Sequence, residues 1–140
     1  MRPSILLLWP FAVMASESPD FGRDIRPILA ENCYHCHGPD EQAREAKLRL
    51  DTFEGATTGG ASGPAIVPGK PGESELIARI FSSDGDDHMP PPSSKRVLTP
   101  DQKALLSEWI EAGAKYEEHW AWQKPQRSGV PSVRDPSLVR

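Results

Sequence analysis

Apolar residues recur at helical spacing in three stretches of the 140-residue chain, with long polar segments between them. From Asp20, the residues Phe21, Ile25, Ile28, Leu29 and Asn32 repeat at intervals of three and four, which places them on one helical face. Pro27 interrupts that pattern, so either a short turn ends there or the helix proper begins with Pro27 at its first position. A second helix is predicted over Glu73 to Phe81, with Leu76, Ile77, Ile80 and Phe81 on its apolar face. The third is the best marked. Thr99-Pro100-Asp101-Gln102 fits a capping box, Leu105, Leu106, Trp109 and Ile110 form a buried face, and Gly113 is the terminator. Between Asp40 and Gly72 regular structure is sparse: Leu48-Arg49-Leu50-Asp51 alternates like a short strand, and Thr57 to Pro64 reads as turn and loop.

The chain begins with another apolar pattern. One positive residue, Arg2, precedes the run Ile5 to Val13, and small residues surround Ala15. The run is shorter than the roughly 20 residues a membrane span needs and has the length of an export signal. We therefore expect a signal peptide over residues 1–15, an extracytoplasmic, periplasmic mature protein starting near Ser16, and no integral membrane segment after cleavage. The last segment, residues 123–140, contains Pro125, Pro131 and Pro136 and lacks periodicity, which predicts a linker or disordered tail.

Composition narrows the picture. Fifteen prolines and eleven glycines, with 37% hydrophobic residues, imply a loop-rich body with a modest apolar core, which an internal prosthetic group would reinforce. The formal charge of −4, with no basic block, disfavours nucleic-acid binding. The Gly59-Gly60 region is not a phosphate loop, because no Gly-Lys-Ser/Thr follows it.

The chemistry is concentrated at the end of the first helical stretch. Cys33-Tyr34-His35-Cys36-His37 contains both cysteines of the chain and matches the C-x-x-C-H pattern of c-type haem attachment. Two thiols one turn apart can each add across a vinyl group of one porphyrin, and His37 then presents an imidazole to the iron. Gly38-Pro39 stops the helix, and the Pro39 carbonyl lies near enough in sequence to accept from the far nitrogen of His37. Other readings remain open at this point. The pair can be a structural or redox disulfide, or free thiols, or Cys33, Cys36, His37 and His88 can hold zinc. Downstream, Met89 stands among acids and prolines in Asp86-Asp87-His88-Met89-Pro90-Pro91-Pro92, where core filling explains it poorly and ligation by its thioether explains it well. His88 is the rival ligand.

A helix entering C-x-x-C-H, a later methionine loop and a closing amphipathic helix follow the order of class I cytochromes c. Residues from Phe21 to Trp122 resemble the planctomycete-type cytochrome c domain. The stretches that carry the resemblance are Asp24 to Leu29, Cys33 to Asp40, Leu48 to Thr52, Ala65 to Pro71, Met89 to Pro92, Leu98-Thr99-Pro100, Trp109 to Ala114, and His119-Trp120-Ala121. The resemblance implies a mostly α, small helical domain over residues 16–122, built around one haem c attached at Cys33 and Cys36. It implies His37 as the proximal iron ligand and Met89 as the distal one, in an electron carrier rather than an enzyme, served by a redox partner protein. An apolar pocket is expected from Leu29, Ile66, Leu76, Ile80, Phe81, Leu105, Leu106 and Trp109. His35 departs from the pattern by placing an extra imidazole at an x position. In the family much larger domains follow this module, and their activities are not assigned to these residues. The contrasting hypotheses are a haem peroxidase or sensor with a displaceable Met89, and a zinc- or disulfide-stapled binding module using Trp120 and Trp122 as stacking groups.

Overall fold

The computed structural model describes residues 18–60 and 63–117. The expected signal segment, His119 to Trp122 and the tail lie outside the described residues.

Asp20 opens the first helical segment, its carboxylate accepting the Arg23 N–H at 2.6 Å. Phe21–Ile25 forms a wide π turn in which the Arg26 N–H reaches the Phe21 carbonyl, and α1 (Arg26–Asn32) continues from it with Pro27 in its first turn. Both readings of Pro27 thus hold in part. The segment starts before the proline, but in a looser register that relieves the ring's clash with the carbonyl four residues back. Phe21, Ile25, Ile28 and Leu29 are buried as their spacing predicts. Asn32 instead turns its amide back onto the Ile28 carbonyl at 2.9 Å.

α2 (Tyr34–His37) is a single turn offset from α1 at Cys33, and Gly38 ends it. A Cβ at Gly38 would collide with the Tyr34 carbonyl, so only glycine allows the chain to leave so tightly.

The segment expected to be irregular contains a helix, α3 (Phe53–Thr58), so Thr57 and Thr58 are helical rather than loop. Its signals are local: Thr52 caps it by accepting the Gly55 N–H at 3.2 Å, and Gly59 leaves it at φ +89°. The strand expected over Leu48 to Asp51 does not form. The Leu50 N–H goes to the His37 carbonyl at 2.8 Å rather than to a neighbouring strand, although the alternation is real, with Leu50 buried and Arg49 paired to Asp51 at 2.6 Å. Among the described residues the sole β pairing is an isolated bridge between Gly60 and Gly63.

Residues 65–76 connect three helices through backbone bonds: Ile66 N–H to Ala56, Gly69 N–H to Ile110 and Leu76 N–H to Ala65, at 2.8 to 3.0 Å. The buried Ser74 hydroxyl braces this segment, accepting from the Val67 N–H and donating to the Lys70 carbonyl, each at 2.9 Å. α4 (Glu75–Phe81) follows a 3-10 turn at Pro71–Glu73, so the helix proper begins two residues later than expected. Leu76 and Ile80 face inward, but Phe81 is 58% exposed, with the Lys103 ammonium 5.3 Å from its ring centroid. It ends the helix and has turned past the buried face.

α5 (Pro100–Glu111) carries the expected capping box, with Gln102 N–H to Thr99 Oγ1 at 3.2 Å and Thr99 N–H to Gln102 Oε1 at 2.9 Å. Its exit bonds are Gly113 N–H to Ile110 and Ala114 N–H to Trp109, both 2.9 Å, with Gly113 at φ +103°. That is the paired closure a left-handed glycine permits after a helix. Leu106, Trp109 and Ile110 are buried, and Leu105 packs at the core margin. The Phe21, Trp109 and Tyr116 rings meet with centroids 4.5 to 5.6 Å apart, joining the chain's first helical segment to its last.

Candidate functional site

The C-x-x-C-H segment is held by the chain that follows it. The Glu45 N–H donates to the Cys36 carbonyl and the Leu50 N–H to the His37 carbonyl, both at 2.8 Å. Arg44 donates through Nε to the Gly38 carbonyl at 3.1 Å and through Nη2 to the Pro39 carbonyl at 2.8 Å. Residues 40–50 thus fold back over the motif and fix its turn. The contact expected between His37 and Pro39 is not made: the Pro39 carbonyl accepts from Arg44, and the buried His37 ring interacts with the Glu45 backbone without a well-formed bond at Nδ1. Arg44 could not be singled out in the sequence, where it stands in a polar stretch without periodicity.

Cys33, Cys36 and His37 open onto a cavity of about 460 Å³, and Met89 lines it too. The volume lies within the range of small-molecule and cofactor sites. Leu48, Leu50, Ala65, Leu76 and Ile80 supply its apolar wall, and Arg79 and Arg96 reach it as cations. This corrects the expected pocket, of which only Leu76 and Ile80 line the cavity. Leu29, Ile66, Leu106 and Trp109 are consumed by packing between the helices, Leu105 stays at the core margin, and Phe81 faces outward. Leu48 and Leu50 replace them, and their alternating pattern was the available signal.

Met89 reaches the cavity because its N–H donates to the Arg79 carbonyl at 3.2 Å, fastening the proline-rich loop to the end of α4. Arg79 is itself held by Glu75 at 2.8 Å and Asp87 at 3.3 Å. His88 turns the other way, its Nδ1 2.8 Å from the Ser82 carbonyl, and is not among the residues lining the cavity. His35 is exposed at the cavity rim.

Burial sets the protonation of these groups. Desolvation pushes the Cys33 thiol up to about 12, against the nearby Arg96 charge. Desolvation lowers the His37 pKa, and the Glu45 backbone and carboxylate oppose that fall. The imidazole is therefore kept neutral, the form that can donate a lone pair to a metal. The donor set of two thiols one turn apart, one neutral imidazole and one thioether around an apolar space fits a covalently held tetrapyrrole with axial nitrogen and sulfur ligands. A closed zinc site is not formed, since the described residues contain no cluster of three or more His, Cys, Asp or Glu placed to hold a metal. Likewise, no helix among the described residues is long and apolar enough to cross a membrane.

A small helical domain with C-x-x-C-H at a helix junction, facing an apolar cavity with a methionine on its wall, defines the cytochrome c class. Residues 33–93 match the family model described as Planctomycete cytochrome C, and this part of the chain is a domain of that family. No curated protein and no solved structure matches the chain.

Proposed function

We propose that this domain is an exported single-electron carrier with one covalently attached haem c. The observation that carries the reading is the convergence of Cys33, Cys36, His37 and Met89 on one apolar cavity, although Met89 lies more than fifty residues from the motif. Cys33 and Cys36 would hold the group through thioethers, with His37 as proximal and Met89 as distal ligand. When bound, the haem supplies a reversible Fe(III)/Fe(II) couple.

The chain's own residues do the rest. Leu48, Leu50, Leu76 and Ile80 keep water from the cavity wall, which disfavours the more highly charged state of the centre. The Leu50 N–H on the His37 carbonyl ties one ligand-bearing segment to the 48–51 stretch, and the Met89 N–H on the Arg79 carbonyl ties the other to α4. Ligands held on rigid elements leave little to rearrange when an electron arrives. With His37 and Met89 both serving as ligands, no position would be left for oxygen or peroxide, which favours carrier over enzyme. The acidic balance of the chain supports a redox partner with a basic face.

Co-expression with a haem-attachment system should give a protein with a Soret band whose haem survives acid-acetone extraction. Replacing both Cys33 and Cys36 by Ala should abolish covalent haem, and retention of it would overturn the attachment. Met89→Ala should lower the reduction potential and admit cyanide, while His88→Ala changes little. The reverse result would make His88 the ligand and Met89 a packing residue. Mass spectrometry of mature protein should find a start near Ser16; an intact Met1 on haem-loaded protein would refute export.

A further inference from the structure

Arg79 and Arg96 both line the cavity, but their surroundings differ. Arg79 is already neutralised, donating through Nε to Glu75 at 2.8 Å and through Nη1 to Asp87 at 3.3 Å. Arg96 has no carboxylate within ion-pair distance among the described residues, although Glu45 and Glu75 line the same cavity. Its side chain donates instead through Nε to the carbonyl of Glu31, two residues before Cys33, at 2.9 Å. The backbone sets that reach. The Ser94 hydroxyl donates to the Pro91 carbonyl at 2.7 Å and accepts the Arg96 N–H at 3.2 Å, and Lys95 turns the chain at φ +58°. Arg96 is thus held at its backbone and at Nε, which leaves the edge formed by Nη1 and Nη2 open. A planar guanidinium with that edge open is suited to bind a carboxylate bidentately.

We propose that Arg96 holds one propionate of the haem through Nη1 and Nη2, on the Cys33 side of the cavity. The inference rests on the reading of the cavity as a haem site and adds to it a residue beyond the thioether and axial groups. Each vinyl-bearing ring of haem has a propionate-bearing ring as a neighbour, so a haem bonded at Cys33 carries a propionate on an adjoining ring. Arg96 stands on that side of the cavity: it is tied to Glu31, and its charge bears on the Cys33 thiol. A carboxylate beside an apolar wall needs a counter-charge and hydrogen bonds, and Arg96 supplies both. Arg79 would have to share its charge with a third carboxylate.

The test uses haem-loaded protein and resonance Raman scattering, in which a propionate that accepts a hydrogen bond has a higher bending frequency than a free one. The native protein should show the raised band. Arg96→Met should return it to the free position and raise the Fe(III):Fe(II) ratio at fixed poise by about three- to tenfold, the scale expected of one uncompensated charge near the iron. Arg96→Lys keeps the charge without the fork, so the ratio should stay within about twofold of native while the band falls part of the way. A residue that merely braces the Glu31 carbonyl would change stability and leave the band in place. Arg79→Met should not move it. Native protein without the raised band would overturn the proposal, as would an unmoved band in both Arg96 variants or a shift in Arg79→Met alone. If Arg96→Met fails to mature, the native protein and Arg96→Lys still decide. Failure of the native chain to take up covalent haem would instead refute the carrier reading itself.

Discussion

The two sides of the first helical segment are used in opposite ways. Toward α5, Phe21, Ile25 and Leu29 meet Trp109, Leu106 and Ile110 in a seam where each side chain is almost fully buried. Toward the motif loop, Asn32, Cys33 and Cys36 face a cavity whose far wall is Leu76, Ile80 and Met89. The seam is packed by the chain's own rings and aliphatic groups. The other side presents apolar side chains to about 460 Å³ of space, and those walls lack contacts that a close-packed interior would give them. Stability and function are therefore divided between the two: the seam holds the helices, and the cavity side is shaped by what it binds.

The sharpest way to break that division is Trp109→Ala. The indole is 1% exposed, stacks with Phe21 and donates to the Lys115 carbonyl at 3.2 Å. Its loss should cost about 3–5 kcal/mol, a large part of the stability of a small domain. Denaturant unfolding should show a similar cost with and without haem, because the seam does not touch the cavity.

Ile80→Ala tests the other side. Ile80 is buried yet lines the cavity, so its truncation without haem should cost about 2 kcal/mol, the low end for a buried aliphatic residue. With haem bound the cost should grow, since the side chain then has neighbours on both faces. An equal cost in the two states would mean that the wall is already supported by the seam.

Tyr116→Phe probes the bridge between the regions. The ring lies in the seam, but the hydroxyl donates at 3.1 Å to the carbonyl of Leu50, whose N–H holds His37. Burial pushes the phenol pKa well up, which keeps it a donor. The variant should lose about 1 kcal/mol and show faster hydrogen exchange at Leu50 than at Ala114. Equal acceleration at both amides would deny the bridge.

The smallest effect is expected from Asp51→Asn. Arg49 holds the Asp51 carboxyl below its ordinary 3.8 through a hydrogen bond and its charge. The folded protein therefore binds fewer protons, and the pair's contribution is present above about pH 4 and lost as pH falls through the depressed value. Arg49 is partly exposed, so the contribution should stay below about 1 kcal/mol. The variant should flatten the acid limb of stability and leave neutral behaviour almost unchanged.

Much of this was readable from local pattern. The buried face of the first segment, the capping box at Thr99, the glycine closure at Gly113 and the C-x-x-C-H motif each depend on residues within a few positions of one another. Spacing and backbone preference decide them before any tertiary contact forms. The short α3 escaped notice because a six-residue helix shows too little periodicity, though Thr52 and Gly59 mark its ends. What only the tertiary structure decided are choices between equivalent residues. Eight apolar positions were candidates for the cavity wall; packing between the helices took Leu29, Ile66, Leu106 and Trp109, and Leu76 and Ile80 share the wall with Leu48 and Leu50 from an apparent strand. Met89 and His88 are neighbours in the sequence, and the bond from Met89 to the Arg79 carbonyl together with that of His88 to Ser82 orients them differently. The turn that follows His37 is fixed from outside it, by the Arg44 guanidinium on the Gly38 and Pro39 carbonyls. Side-chain bonds of this kind to backbone carbonyls have no period and no composition, so they become visible only once the chain has folded back on itself.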